Sequence, residues 1–455
     1  MWQIDQYLDA RNGKLQIDGV DTLELAATFG TPLFVFSEAR ILRNIREIAE
    51  AFQRPGLTTQ IFYASKANSN LALLQSIRNS GINVEVNSGG ELYKALRAGF
   101  TPQQIIFNGV AKKAHEIAEA VEQGIFCINV DSAFELGRVI DAARHQQRRA
   151  RIALRMVPEV AATLHGGLAT GSHSSKFGMS DLSDVYREAL KYPDQLKLIG
   201  LHMHIGAQLT DAEAYKAGVR SLVTTALAQA DATGYGVETL NIGGGLPVAY
   251  LKPDSGAGLA DSTYTMLKAG RTPQDVAQAV FEVLDTTPGA DRFTNLILEP
   301  GSRIIADTGV LLSTVENVKS RPNGDHWLLL DAGFNTLMDI LGYNWYFHTL
   351  AAGKVSQDAS AAYKLGGPLC DSGDVYHDSE GYGRLPDYRS LPAGMEPEDV
   401  IAFLDVGGYT LEQMNQYNGQ PRAAAVLIRR EGQVQLIRRR ETYADLLAHD
   451  LDLTP

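Results

Sequence analysis

Residues 61–70 read IFYASKANSN, an apolar strand-like run that delivers one lysine, Lys66, into a small polar turn. A lysine at the end of a buried strand is costly unless its charge is removed or used, and Schiff-base chemistry does both. A lysine that snorkels to the surface at a strand end would read the same way, so the decapeptide alone fits either account.

Outward from this run the chain settles into a rhythm. Short apolar strands recur as QIFYA, NVEV, IIFN, CINV, IALRM, IGLHMH, TLNI and LILE, each followed by helix-forming sequence such as LALLQSIRNS or AHEIAEAVEQ. The first four begin about 22 residues apart, the length of a strand, a helix and two loops. Eight such units between about residues 60 and 300 are the count of a (β/α)8 TIM barrel, an α/β architecture. A doubly wound open sheet fits less well, because no glycine-rich dinucleotide turn follows the first strand. Two intervals are stretched, Val157 to Ser180 and Leu246 to Arg271; both follow a strand and so belong at the C-terminal rim, where active-site loops sit.

Beyond about residue 300 the texture changes to strand-like runs with turn residues: GVLLSTVENV, HWLLLDAG, YKLGGPLC, DVIAFLDVGG, AAAVLIRR and QVQLIRRR. That pattern predicts a C-terminal all-β domain. The division expected is a lead-in over 1–30 that packs with the β domain, a barrel over 31–302 and the β domain over 303–455. KLQIDGV reads as a strand of the lead-in and DTLELAATFG as its helix, ending at Gly30. Charged residues are 21% and hydrophobic ones 45%, the profile of a globular enzyme rather than a disordered chain. The balance of 41 basic and 53 acidic residues gives −12, which argues against nucleic acid as a partner. No signal-peptide core or membrane-length apolar run is evident, so no membrane association is expected and the cytoplasm is the default location. The two cysteines, Cys127 and Cys370, make no disulfide framework and no zinc motif.

The chemistry gathers at strand ends. His202 and His204 alternate in GLHMHIGAQ; an HxH at a barrel mouth is a metal pattern in some hydrolases, but no further ligand set accompanies it, and no metal is expected. Gly243, Gly244 and Gly245 follow a strand directly, where bare amides can approach an anionic oxygen. LEPGSR places Glu299 where a carboxylate could hold a protonated ring nitrogen, GGPLCDSGD carries Cys370 beside acids, and DVGGYT carries Tyr409. A solvated glutamate, tight-turn glycines and a buried cysteine are the plain alternatives, piece by piece. Jointly the pieces supply the parts for pyridoxal 5'-phosphate: an anchoring amine, a ring partner, an acid for the ring nitrogen, glycine amides, a tyrosine and a proton donor.

Their order and spacing resemble the fold type III pyridoxal phosphate decarboxylases, the diaminopimelate and ornithine decarboxylase family, nearly end to end from TPLFVFSE to YNGQPRAAAVLI. VEVNSGGELYKALRAGF is most similar to the diaminopimelate branch. The resemblance implies a homodimer whose two active sites each borrow residues from the partner. It makes Lys66 the covalent anchor, His204 the ring-stacking histidine and Glu299 the acid on the ring nitrogen. Gly243 to Gly245 with Tyr409 become the phosphate cradle, Gly301 part of the same cofactor site, and Glu85 and Arg155 a charged pair behind it. Cys370 becomes the proton donor from the other subunit, with Asp371 reading the substrate's far amino group.

Departures from that pattern bear on the substrate. The diaminopimelate enzymes carry EPGR, whereas here Ser302 intervenes and Arg303 is displaced; they also carry an arginine where this chain has Asp339. Those arginines clamp a distal carboxylate in the family, and an acid there would repel one. Tyr343 of the same pocket remains, and Ala207 stands where a phosphate-binding serine is usual. With Arg303, Asp339, Tyr343, Asp371 and Tyr409 lining the substrate, the expectation is a decarboxylase of a basic diamino acid, of the lysine or ornithine type and in one enantiomer. Diaminopimelate decarboxylation is the alternative. An amino-acid racemase, a metal-dependent hydrolase and a non-catalytic homologue fit less well.

Overall fold

The computed structural model describes residues 2–160, 175–252 and 258–451. The chain divides into two compact units, one of Leu42–Pro247 with Ala269–Ile304 and one of Met1–Ile41, Val248–Lys268 and Ile305–Pro455.

The first unit is a closed barrel of eight parallel strands: Thr58–Ala64, Asn83–Val86, Ile105–Phe107, Cys127–Val130, Ala150–Arg155, Leu196–His202, Thr239–Asn241 and Asn295–Leu298. These are the eight runs read from the sequence, and each neighbours the next, with the eighth closing on the first through Asn295–Thr58 to Leu298–Ile61. Helices alternate with the strands because the loops carry capping chemistry. Ser88, Ser132 and Asp211 each accept a backbone N–H of the following helix, and Thr272 does so with Pro273 at the first helical position. Inside the barrel an apolar floor of Phe62, Ile106, Cys127, Ala153, Ile199 and Ile297 fills the cylinder. Polar side chains begin one layer higher, at the strands' C-terminal ends. Of the two long intervals, residues 161–174 and 253–257 lie outside the described residues.

The second unit is β-rich. Its main sheet runs in the order Arg389–Leu391, Ala361–Gly366, His326–Leu330, Gly309–Ser320, Leu33–Ser37, Ala424–Ile428 and Val434–Arg438, and Thr349–Ala351 and Val400–Leu404 attach to one side. Gly309–Ser320 is its pivot: it pairs antiparallel with Leu33–Ser37 and Val400–Leu404 along its first half and with His326–Leu330 along its second, across a register shift between Val315 and Asn317. Leu33–Ser37, which opens the sequence's barrel segment, is a fully buried strand of this sheet. The lead-in packs against the same core through Tyr7, Leu8, Leu15, Ile17 and Leu25. Its strands Leu8–Arg11, Lys14–Ile17 and Val20–Asp21 form a separate small sheet instead of extending the large one. No helix among the described residues is long and apolar enough to cross a membrane.

Candidate active site

The barrel mouth collects most of the residues singled out in the sequence. Lys66 lies in the short 3-10 turn Ser65–Ala67 directly after the first strand, and its side chain is exposed. The cost argued for a buried lysine therefore does not apply; what remains is an amine presented at the rim. Gly301 backs this turn: a Cβ there would meet the Cβ atoms of Ala67 at 3.1 Å and Ala64 at 3.3 Å. Ala64 N–H also donates to Pro300 O at 3.0 Å, so the Glu299–Gly301 turn and the Lys66 turn are held as one surface.

Glu299 is buried at the end of the eighth strand and accepts from three side-chain amides. Asn241 Nδ2 reaches Oε1 at 2.7 Å, Asn129 Nδ2 reaches Oε1 at 3.1 Å and Asn108 Nδ2 reaches Oε2 at 2.9 Å. His202 Nε2 lies 3.2 Å from Oε2 in contact, without hydrogen-bond alignment. Burial alone would raise this carboxyl, but His202 and the amide donors outweigh it and hold the group below its ordinary value. Glu85, 1% exposed, goes the other way. Burial and the neighbouring Glu299 charge push it up, with Asn108 Nδ2 donating to its Oε1 at 2.7 Å. Two carboxyls that share one amide are thus shifted in opposite directions.

The charged pair expected between Glu85 and Arg155 takes another form. Arg155 Nε faces Asp131 Oδ1 at 3.8 Å and its guanidinium lies over the Phe177 ring at 4.4 Å, while Glu85 looks to Asn108. The physical reason is proximity: Asp131 is the anion in contact with the guanidinium, and the Glu85 carboxyl acts on it only from farther off.

His202 and His204 have separate environments. His202 is wholly buried inside the barrel, and burial lowers its basicity. His204, half-buried just beyond the strand end, accepts from Gly244 N–H through Nδ1 at 3.2 Å. Burial first, then the positive charges of Lys66 and Arg155, take its pKa well down. It is therefore a neutral imidazole with its proton on Nε2. The glycine run is less open than a bare cradle: Gly243 N–H donates to Asn241 Oδ1 at 2.9 Å and Gly244 N–H to His204. All three glycines are sterically required, since a Cβ would meet Met203 O at 2.6 Å, Glu299 O at 2.4 Å or Gly206 O at 2.4 Å, respectively. Arg303 sits in this unit too, turned to Glu47 Oε2 at 2.9 Å.

The β-rich unit carries the remaining candidates. Cys370 is an exposed free thiol whose backbone N–H donates to Asn418 Oδ1 at 2.6 Å. Asp371 beside it accepts from Tyr417 Oη at 3.2 Å and from Gly373 N–H at 2.8 Å. Tyr409 has φ of 65°, a left-handed conformation unusual for a bulky side chain and typical of positions the surroundings over-determine. Tyr343 closes the short helix Met338–Tyr343. Asp339, on the same helix, is 8% exposed, and burial pushes its carboxyl up to about 7 against a hydrogen bond with Gln413.

Asn108, Asn129 and Asn241 are additions to the residues singled out in the sequence. All three lie at or just after the C-terminal ends of barrel strands, which was the available signal. The same is true of Asp131 and of Lys112, whose buried ammonium is satisfied by Gly109 O, Asn129 O and Glu135 Oε1 at 2.7–2.8 Å.

An exposed amine, an ionised buried carboxylate and a neutral imidazole at one barrel mouth are the donor set that pyridoxal 5'-phosphate requires, so the residues fit that cofactor. Comparison with known proteins agrees. The family model "Pyridoxal-dependent decarboxylase, pyridoxal binding domain" matches residues 38–306. Diaminopimelate decarboxylase of Methanocaldococcus jannaschii is 35% identical over 98% of this chain and 96% of its own length. That of Aquifex aeolicus is 33% identical over 99% of both. The crystal structure of the M. jannaschii enzyme in complex with L-lysine matches with a TM-score of 0.86 at 34% identity, covering 98% of each chain. With the barrel, the donor set and these relatives in agreement, the chain belongs to the fold type III pyridoxal phosphate-dependent decarboxylases.

Proposed function

We propose that the protein decarboxylates meso-diaminopimelate, releasing carbon dioxide and L-lysine. The observation that carries the decarboxylase chemistry is Glu299, kept ionised by three asparagine amides at the barrel mouth that also presents Lys66. Pyridoxal phosphate, when bound, supplies an electron sink for the pair left behind by carbon dioxide. Around it Lys66 serves as the covalent anchor, and Glu299 keeps a proton on the ring nitrogen. His204, neutral and fixed by Gly244, offers a flat face to the ring. Gly245 and Tyr409 receive the phosphate, with Gly243, Gly244 and Gly301 shaping the floor. Cys370 returns the proton to the substrate carbon from a second copy of the chain, and Asp371 and Tyr343 contact the substrate. This assigns the protein a homodimer with shared sites, working in the cytoplasm on a small amino acid.

The relatives named above favour diaminopimelate over the lysine or ornithine type of substrate read first from the sequence. That earlier preference rested on Asp339 as a fixed negative charge. A carboxyl that burial moves to about 7 carries only part of that charge at neutral pH, and when protonated it donates to a carboxylate instead of repelling it. The lysine or ornithine reading keeps one specific observation in its favour: Ser302 and Asp339 stand where arginines are usual, and Arg303 is paired with Glu47. Carbon dioxide release from meso-diaminopimelate and from both enantiomers of lysine, ornithine and arginine separates the two. The highest kcat/KM should belong to meso-diaminopimelate. A roughly hundredfold advantage for one enantiomer of lysine or ornithine would overturn the proposal in favour of the second reading.

A further inference from the structure

The hydrogen bonds beneath the cofactor site form a chain whose direction is dictated at one end. Gly243 N–H can only donate, so Asn241 must turn Oδ1 toward it, at 2.9 Å. That leaves Asn241 Nδ2, a donor, facing Glu299 Oε1 at 2.7 Å, and Glu299 must accept. Asn129 Nδ2 spends its two hydrogens on Glu299 Oε1 and Asn108 Oδ1, at 3.1 and 2.7 Å. Asn108 Nδ2 then spends its two on Glu299 Oε2 and Glu85 Oε1, at 2.9 and 2.7 Å. Every donor thus converges on Glu299, whereas Glu85 receives from Asn108 at Oε1. The charges that reach Glu85 include those of Glu299, Lys66, Glu91 and Arg155; those that reach Glu299 include His202 and Arg155.

We propose that Asn241 is a positioning residue that sets the protonation order of this carboxyl pair: locked by the Gly243 amide, it makes Glu299 the ionised member and leaves the proton on Glu85. The barrel mouth then holds one carboxylate charge, on the residue that would pair with the ring nitrogen, instead of two that would compete for it. Glu85 acts as a neutral hydrogen-bonding group, and the glycine loop is connected to the ring-nitrogen acid through one side chain.

The test is infrared spectroscopy of the full-length protein, with and without pyridoxal 5'-phosphate, using 13C-labelled glutamate to identify carboxyl bands. Wild type should show a protonated glutamic acid band at neutral pH, and Glu85→Gln should lose it. No such band in wild type, or a band that survives in Glu85→Gln, would overturn the assignment. Asn241→Asp keeps the acceptor for Gly243 but turns a donor facing Glu299 into an acceptor, so one more proton must be taken up. An additional acid band is expected there, together with roughly ten- to a hundredfold weaker binding of pyridoxal 5'-phosphate in an equilibrium titration. An unchanged spectrum and affinity would remove Asn241 from its role, and should that variant not fold, the Glu85 measurement decides alone. The proposal rests on the cofactor and not on the identity of the amino acid. No amino-acid substrate enters either measurement, so a wrong substrate and a wrong protonation order give different failures.

Discussion

Asp339 shows how far one residue's surroundings can change what its letter implies. In the unfolded chain its pKa lies near 3.9, and burial in the fold raises it to about 7. The folded state therefore binds the proton more tightly, and stability falls as pH rises from the unfolded value through the folded one. Asp339→Asn should remove that slope, so its gain in stability over wild type should grow by on the order of 2 kcal/mol between pH 5 and pH 8. Denaturant unfolding at the two pH values measures it, and a gain that is the same at both would count against a buried, protonated Asp339. Lys66 behaves more simply. Its side chain is exposed and lies outside the core, so Lys66→Ala should leave the unfolding midpoint close to wild type while abolishing the covalent cofactor absorbance and turnover. The residue-scale lesson of the site is uneven. Lys66, His204 and Glu299 were legible because each is an unusual residue at a strand end. Asn129 and Asn241 were not, because an asparagine there reads as a turn residue until three of them are found at the same height inside one cylinder. The Asp131 partner of Arg155 was hidden for a related reason: the two residues meet only because Cys127–Val130, which Asp131 follows, and Ala150–Arg155 are neighbours in the closed barrel.

At the scale of elements the sequence was more forthcoming, since an apolar run bounded by turn residues is a strand in any context where both faces are covered. All eight barrel strands and the main strands of the β-rich unit were readable in this way. Short pairings such as Thr349–Ala351 and Arg389–Leu391 were not, being outside any regular strand–helix repeat and defined by their partners. The small sheet of the lead-in was also hidden, because a strand's sheet depends on register and not on composition. A turn with little room for substitution follows Val400–Leu404. Gly407 lies so close to Ile305 that an added Cβ would sit 1.9 Å from its carbonyl oxygen and 2.9 Å from that of Ala306. Backbone cannot yield as a flexible side chain does, so Gly407→Ala should cost roughly 1–3 kcal/mol or more. Gly408→Ala, whose Cβ would meet Ile305 Cγ2 at 3.5 Å, is the control that should be far milder. Equal destabilisation of the two would show that local crowding is not the cause.

For the whole molecule, the proposed shared sites predict complementation. Lys66→Ala and Cys370→Ala chains, each inactive alone, should regain part of the activity when unfolded together and refolded, because a mixed dimer holds one intact site. No recovery, with mixed dimers demonstrated, would place both residues in the service of one chain. A different consequence attaches to Leu33–Ser37. This strand is made early in synthesis, yet its partners in the sheet are Gly309–Leu312 and Ala424–Ile428, which the ribosome produces only after the barrel segment. Until then five buried-type residues with both backbone edges unpaired wait in solution while the whole barrel segment is translated. The order of manufacture thus runs against the order of assembly. The nascent chain should be a client for holding chaperones throughout barrel translation, and slowing translation should lower the yield of folded protein instead of raising it.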